Sequence, residues 1–157
     1  MKVSALEEYG LRCLVQLARD GAEPDAGHAL AAREIAEREG LSLEYAAQIL
    51  TTLRKAGLVG SVRGVNGGFH LARPASEISV GELFRALDGP FADSICESYT
   101  GRLETCANAG DCNVAPIWSE LARRVYAFLD GISLADIAAG NVRTAPPVVP
   151  LDTLRRR

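Results

Sequence analysis

The sequence lacks any long apolar run. No segment approaches the roughly 18 consecutive apolar residues that a membrane-spanning helix needs. Residues 1–8 acquire acidic side chains at once and contain no apolar signal core, so we expect a cytoplasmic protein without a membrane segment. Enzyme motifs are also missing: there is no nucleophile elbow and no phosphate-binding loop, and the two histidines stand apart. We therefore expect a protein that is not an enzyme.

Cysteine is scarce, but three of the four cysteines fall within 17 positions. Nine residues separate Cys96 from Cys106, and five separate Cys106 from Cys112, in a polar, glycine-containing segment. Three thiols cannot pair completely into disulfides, and neither gap is the short C-x-x-C step of a closed zinc site. An iron–sulfur cluster tolerates looser spacing but needs a fourth ligand. An iron–sulfur cluster, redox-active thiols, a zinc site and the absence of any ligand therefore all stay open at this point.

Charge is unevenly distributed, although the formal net charge is only −3. Residues 42–74 carry four basic side chains against one acidic side chain, whereas residues 75–140 are strongly acidic. The distribution of charge matters more than its sum for nucleic-acid binding. This basic window is one short segment, which is what a local DNA-facing surface requires.

An amphipathic helix is predicted over residues 4–19. Cys13 lies on its apolar stripe at helical spacing, so we interpret Cys13 as a core residue and not as a ligand. Glu7 and Glu8 stand in the first turn, where acidic side chains interact favourably with the helix dipole.

A helix-turn-helix follows. The predicted second helix covers residues 31–38 and ends before Gly40, and the third covers residues 43–55, with Ser42 as its cap and Gly57 after its end. A short helix, a tight glycine turn and a second helix with a polar outer face are typical of this motif. The side chains expected to face inward are Leu43, Ala46, Ile49, Leu50 and Leu53. Those expected to face outward are Glu44, Tyr45, Gln48, Thr51 and Thr52.

A β-hairpin is predicted directly after the third helix. Residues 58–63 and 69–72 are β-prone, and Asn66-Gly67 lies between them. Asn-Gly is a strong hairpin signal because both residues accept the positive φ of the turn. A helix-turn-helix followed by a hairpin predicts a winged helix, so the fold class is mainly α with a small β-hairpin wing.

The rest of the chain predicts a dimerisation region and a tail. A capping box at Ser79 opens a helix that ends near Asp88, and Pro116 begins a long helix that runs to Asp130. Its wide apolar face, with Trp118, Leu121, Val125 and Leu129, favours packing on a second copy of the chain, with the alternative that it folds back on its own domain. We expect a winged domain over 1–75, the cysteine loop and dimerisation helices over 76–140, and a flexible tail over 141–157.

Over residues 1–135 these features resemble the Rrf2-type family of bacterial winged-helix transcription regulators. The resemblance rests on four blocks: residues 1–12, the Leu-Arg-Lys-x-Gly-Leu-Val block 53–59, the wing 61–69 with Arg-Gly-x-x-Gly-Gly-aromatic, and residues 86–90 before the cysteines. The family includes an iron–sulfur cluster regulator, a nitric-oxide-sensing repressor and an iron-responsive regulator. The resemblance implies a homodimer that binds a palindromic operator in double-stranded DNA.

The resemblance also implies which residues face DNA. Recognition helices would enter the major groove while the wings reach the minor groove. Gln48 suits adenine, Glu44 can accept from cytosine, and Arg54 and Lys55 suit phosphates, although Arg54 has an intradomain ion pair as its alternative. Arg63 suits a narrow minor groove. The full implied set is Ser42, Glu44, Tyr45, Gln48, Arg54, Lys55, Arg63, Gly64, Asn66, Gly67 and Gly68.

For the cysteine loop the resemblance implies an iron–sulfur cluster, with two or four irons, held by Cys96, Cys106 and Cys112. Some members supply a fourth ligand from a histidine three residues after the last cysteine, but Ala115 stands there. Others use an acidic residue of the first helix of the opposite protomer, and Glu8 occupies that place. The implied function is a repressor that senses redox state, nitric oxide or iron supply. The alternative is a cluster-free regulator that senses thiol oxidation or a small effector.

Overall fold

The computed structural model describes residues 3–64, 67–88 and 112–142 of the chain. The described part is mainly helical with one two-stranded antiparallel sheet, which confirms the predicted fold class. The elements are α1 (Ala5–Arg19), α2 (Ala32–Glu39), α3 (Leu43–Lys55), β1 (Val59–Val62), β2 (Gly68–Leu71), a 3-10 turn (Ala75–Glu77), α4 (Val80–Asp88), α5 (Ala115–Asp130) and α6 (Leu134–Ala138). None of the described helices is both long and apolar enough to cross a membrane.

Helix α1 begins at a reciprocal cap and contributes to the centre of the core. The Ser4 hydroxyl accepts from the Glu7 N–H at 3.2 Å, and the Glu7 carboxylate accepts from the Ser4 N–H at 2.7 Å, so two N–H groups at the helix start are satisfied. Cys13, Leu14 and Leu17 are fully buried. The prediction that Cys13 is a core residue is confirmed, and burial raises the pKa of its thiol to about 12.

The helix-turn-helix has the predicted arrangement. Helix α2 is followed by Gly40 with φ 64°, a left-handed conformation that glycine adopts at little cost. Ser42 caps α3 by accepting from the Tyr45 N–H at 3.2 Å. Leu43 was predicted to face inward, but it is 39% exposed and lies outside the core. The buried residues of α3 are Ala46, Ile49, Leu50 and Leu53.

The wing is the β1–β2 hairpin, in register from Val59 opposite Leu71 to Val62 opposite Gly68. It is fixed to the segment before α2, because Leu30 and Phe69 exchange two backbone hydrogen bonds of 2.9 Å. The hairpin confirms the predicted wing. The turn at residues 65–66, with Asn66, lies outside the described residues.

The apolar core runs past residue 75, where the sequence suggested the end of the winged domain. Ile78, Leu83 and Leu134 belong to the same buried cluster as residues of α1 and α3. Helix α6 packs on α1, and α4 packs on both α1 and α5. The winged domain and the C-terminal helices therefore share one core in the described chain. The predicted tail from residue 143 onward lies outside it.

The described part of the chain leaves most of the apolar face of α5 exposed. Ala122 is its one buried residue. Trp118 is 36% exposed and Leu121 is 40% exposed, whereas Val125 and Leu129 are half-buried. The C-terminal end of α5 lies against α4. The helix thus folds back on its domain at one end and presents large apolar side chains elsewhere.

Candidate functional site

The outer face of α3 carries polar side chains available for an external partner. Glu44 and Gln48 are exposed, and neither side chain has a hydrogen-bond or ion-pair partner among the described residues. Lys55, at the end of the helix, is exposed in the same way. A helix with one buried stripe and a solvated opposite face can enter a DNA groove without losing core contacts.

Tyr45 differs from the expectation that it faces outward. It is half-buried and meets Tyr9 edge to face, with ring centroids 6.0 Å apart and an interplanar angle of 82°. Edge-to-face contact suits the quadrupoles of aromatic rings. Tyr45 therefore joins the start of α3 to α1, and only part of its side chain remains available to a partner.

Arg54 connects the end of α3 to the wing. Its guanidinium donates to the Ser61 hydroxyl at 3.4 Å, and it forms no ion pair within the described part of the chain. The described residues therefore do not support the alternative that Arg54 forms an ion pair inside its own domain. Arg63 is exposed just after β1, so both arginines lie where the helix and the wing meet solvent.

The wing glycines Gly64, Gly67 and Gly68 are required by different structural constraints. Gly64 has φ 119°, which side-chain-bearing residues rarely adopt. A Cβ on Gly67 would lie 2.6 Å from the Val62 carbonyl oxygen, and one on Gly68 would lie 2.6 Å from the Leu30 oxygen. Gly67 and Gly68 are thus required by the packing of the wing itself, whatever else they contact.

Glu8, the candidate acidic ligand, belongs to a polar network that links α1 to the end of α2. The Arg12 guanidinium donates to the Glu8 carboxylate at 2.7 Å and lies 3.6 Å from the Glu39 carboxylate. Gln16 donates to the other oxygen of Glu39 at 2.5 Å. The hydrogen bond to Glu8 raises the pKa of Arg12. The Glu8–Arg12 pair was readable from its i,i+4 spacing, but the link to Glu39 required the fold.

Cys112 is the one loop cysteine in the described residues. It is half-buried, and its Sγ accepts from the Ala115 N–H, the first of α5, at 3.3 Å. Cys96 and Cys106 lie outside the described residues. Within 3–64, 67–88 and 112–142, no three His, Cys, Asp or Glu side chains form a metal-binding group.

The described residues therefore form one candidate surface, and the two candidate ligands that are described lie apart from it. The outer face of α3 and the wing make a basic surface, with Gln48, Arg54, Lys55 and Arg63 on it. Glu8 and Cys112 lie elsewhere, on α1 and at the start of α5. The role of Cys112 in capping α5 was not predicted, although a potential acceptor three residues before a helical N–H was a readable signal.

Comparison with known proteins gives consistent matches over most of the chain. The Rrf2 family, described as iron-dependent transcriptional regulators, matches residues 3–140. The HTH-type transcriptional regulator IscR of Aliivibrio salmonicida is 35% identical over 141 residues, which cover 90% of this chain and 79% of that protein.

Solved structures agree with the fold. CymR, the global cysteine regulator of B. subtilis, has a TM-score of 0.69 at 29% identity, covering 89% of this chain and 98% of CymR. IscR of T. potens has a TM-score of 0.68 at 32% identity, covering 94% of each chain. The match over residues 3–140, the winged helix and the IscR relatives lead to one conclusion: the chain belongs to the Rrf2 family of transcriptional regulators, which are not enzymes.

Proposed function

We propose that the protein is a cytoplasmic, homodimeric repressor whose affinity for a palindromic DNA operator is controlled by an iron–sulfur cluster. The observation that carries this proposal is the position of Cys112. Its thiol caps the first turn of α5, so the cysteine loop ends where the proposed dimer helix begins. A ligand bound by the loop would therefore act directly on the element that joins the two subunits.

The reading surface of each subunit is the outer face of α3. Gln48 can donate to and accept from adenine in the major groove, and Glu44 can accept from the cytosine amino group. Lys55 and Arg54 would contact phosphates and fix the register of the helix. Arg63 would reach a narrow minor groove from the wing. The remaining proposed contacts are Ser42, Tyr45, Gly64, Asn66, Gly67 and Gly68.

The dimer interface is the uncovered face of α5. Trp118, Leu121, Val125 and Leu129 recur at steps of three and four residues, the spacing of helices that pack along their length. Exposed tryptophan and leucine on one face are unfavourable in water. A second copy of α5, related by a two-fold axis, would cover both faces at once.

The proposed ligands of the cluster are Cys96, Cys106 and Cys112, with Glu8 of the partner subunit as the fourth. Thiolates are the usual ligands of iron in such clusters, and Glu8 and Cys112 both lie outside the core, as ligands to a shared group between subunits must. The donor set suits either two or four irons. When bound, the cluster would supply a link between subunits that oxidation, nitric oxide or iron loss removes.

The residues around Glu8 suggest how a cluster between the subunits would affect the DNA-binding helix α3. Glu8 is paired with Arg12 in the same chain, and an exposed ion pair stabilises little, so Glu8 can exchange Arg12 for iron. Arg12 would then have Glu39 as its remaining partner. Glu39 ends α2, immediately before the turn that leads into α3. If Glu8 were a cluster ligand, the pairing of Arg12 would therefore shift to Glu39, next to the turn that leads into the reading helix.

Anaerobic purification tests the cluster directly. We expect a brown protein with visible absorption and with iron and sulfide by chemical assay. Cys112→Ser should lose most of the iron but keep α5 intact, because a serine hydroxyl can still accept from the Ala115 N–H. Cys106→Ala should lose iron as well. Cys13→Ala is the matched control, since this buried thiol lies outside the loop and should leave iron loading unchanged.

The alternative, a cluster-free regulator that senses thiol oxidation or a small effector, makes the opposite prediction. A colourless, iron-free protein with full DNA binding would exclude the cluster. Loss of that binding on oxidation of Cys96, Cys106 and Cys112 would then favour thiol sensing. Iron loading that survives both Cys106→Ala and Cys112→Ser would show that the ligand set is wrong.

DNA recognition is tested on a palindromic duplex selected by the protein from a randomised pool. Gln48→Ala should reduce discrimination at one base position by about 1–3 kcal/mol. Lys55→Ala should instead weaken binding to every duplex and reduce the salt dependence by about one phosphate contact. Arg124→Ala, an exposed change on α5, should alter neither. Equal effects of Gln48→Ala on all sequences would contradict the proposed role of α3.

A further inference from the structure

The last residue of α5 is held by an arginine of α4. Asp130 Oδ1 accepts from Arg85 Nη2 at 2.5 Å, and Asp130 Oδ2 lies 3.2 Å from Arg85 Nη1. A two-point contact of guanidinium with carboxylate fixes orientation as well as distance. The hydrogen bond from Arg85 lowers the pKa of the Asp130 carboxyl, so the pair is fully charged at neutral pH.

Three other groups complete this contact. The Ser79 hydroxyl donates to Asp130 Oδ1 at 3.4 Å. A Cβ on Gly81 would overlap that carboxylate, so the absence of a side chain at Gly81 allows Asp130 to lie on the α4 backbone. The Arg85 guanidinium also lies over the Tyr126 ring, 4.9 Å from its centroid. Arg85 therefore touches α5 at two successive turns.

The chain on either side of this contact is fixed by its backbone. Val80 N–H donates to the Ile132 oxygen at 3.0 Å, and Leu134 N–H donates to the Ile78 oxygen at 2.9 Å. Among the described residues, these two bonds join the start of α4 to the segment that follows α5. The contact of Arg85 with Asp130 and Tyr126 then constrains the angle at which the C-terminal half of α5 meets α4.

We propose that Arg85 and Asp130 are positioning residues that set the direction in which α5 leaves the winged domain, and thereby the separation of the two recognition helices. The inference rests on the proposed function, in which α5 forms the dimer and α3 reads DNA. Helix α5 has 16 residues and is about 24 Å long. A tilt of about 10° at Asp130 would displace its far end by about 4 Å, a sizeable error against a half-site spacing of about 34 Å.

The test measures preference for operator spacing. Half-sites selected with the wild-type protein are placed in duplexes whose central spacer is shortened or lengthened by one or two base pairs, and binding is measured by fluorescence anisotropy. The wild-type protein should prefer one spacer by about tenfold or more. Asp130→Asn and Arg85→Gln should reduce that preference to about threefold or less, with contacts inside each half-site unchanged.

The matched control is Glu120→Gln. Glu120 also pairs with arginines, Arg123 and Arg124, but these lie on its own helix. Its loss removes ion pairs from α5 without affecting the junction, so the spacer preference should stay that of the wild type. Asp130→Asn combined with Arg85→Gln should be no worse than Arg85→Gln alone, because that change already removes the contact with Asp130. Arg85→Lys, which keeps the charge but not the two-point geometry, should lie between.

Folding and assembly are followed separately by circular dichroism and sedimentation. If Asp130→Asn does not fold, Arg85→Lys supplies the same comparison with a smaller change. An unchanged spacer preference in folded, dimeric Arg85 and Asp130 variants would overturn this inference and leave the proposed function intact. A wild-type protein that is monomeric, or that binds no selected duplex, would overturn both.

Discussion

Helices α1 and α5 are both amphipathic and almost equal in length, yet they differ in how much of the apolar face is covered. Helix α1 has 15 residues and buries six of them, whereas α5 has 16 and buries only Ala122. Helix α1 has α3, α4 and α6 packed around it, and α5 lies chiefly against α4. An amphipathic pattern therefore predicts how much apolar surface a helix must cover, but it does not predict whether the covering partner belongs to the same chain.

The largest expected effect is a truncation in α1. Leu14 is fully buried, so Leu14→Ala should lower the free energy of unfolding by about 2–5 kcal/mol. Urea denaturation followed by circular dichroism measures the loss. A loss below about 1 kcal/mol would mean that α1 does not contribute to the core as described, because an exposed leucine costs little to truncate.

The corresponding change in α5 should affect assembly instead of folding. Trp118→Ala should weaken dimerisation by about 2 kcal/mol or more, or about thirtyfold in the dissociation constant. Sedimentation equilibrium measures that constant, and circular dichroism should show a retained helix content. Arg123→Ala is the control on the same helix, because its side chain is exposed and pairs within α5. If Trp118→Ala unfolds and no folded monomer is found, then α5 contributes to folding as α1 does, and the contrast between the two helices fails.

A third change adds volume to the crowded helix. A Cβ on Gly10 would lie 2.8 Å from Leu87 Cδ1, and overpacking of a core costs about 1–3 kcal/mol. We expect Gly10→Ala to lie at the lower end, because the obstructing atom is the end of a flexible side chain. Thermal denaturation should also show that Leu87→Ala partly relieves the cost of Gly10→Ala. Purely additive losses would contradict the close approach of α1 and α4.

The smallest effect concerns pH at the end of α5. Arg85 lowers the pKa of Asp130 in the folded protein, so the unfolded chain binds the proton more readily and the stabilisation is present above the ordinary Asp value of about 3.9. It should be lost as pH falls through the lowered pKa. Both side chains are 42% exposed, so the contribution is under about 1 kcal/mol. The difference in melting temperature between wild type and Asp130→Asn should therefore shrink only in acid.

Local features of the fold were predictable from the sequence. The bounds of α3, residues 43–55, follow from helical periodicity, the cap at Ser42 and the glycine at position 57. The hairpin follows from two β-prone runs around Asn66-Gly67. The burial of Cys13 follows from its place on the apolar stripe of α1. Each of these depends on residues within a few positions of one another.

Features that depend on distant residues were not predictable. Tyr45 is half-buried because Tyr9 lies beside it, 36 positions earlier in the chain. Gly68 lacks space for a side chain because the Leu30 backbone crosses it. The contact of Arg85 with Asp130 spans 45 positions. Periodicity gives each helix a face but does not give the neighbour that meets it, so these contacts required the fold.

The burial of Cys13 also determines how the protein can be chemically labelled. Thiol reagents attack the thiolate, and a pKa of about 12 in place of 9.0 makes that form about a thousandfold rarer at neutral pH. Full enclosure of Cys13 restricts access further. A maleimide titration of the native protein should therefore leave Cys13 unmodified, and unfolding in denaturant should add this one thiol as an internal standard.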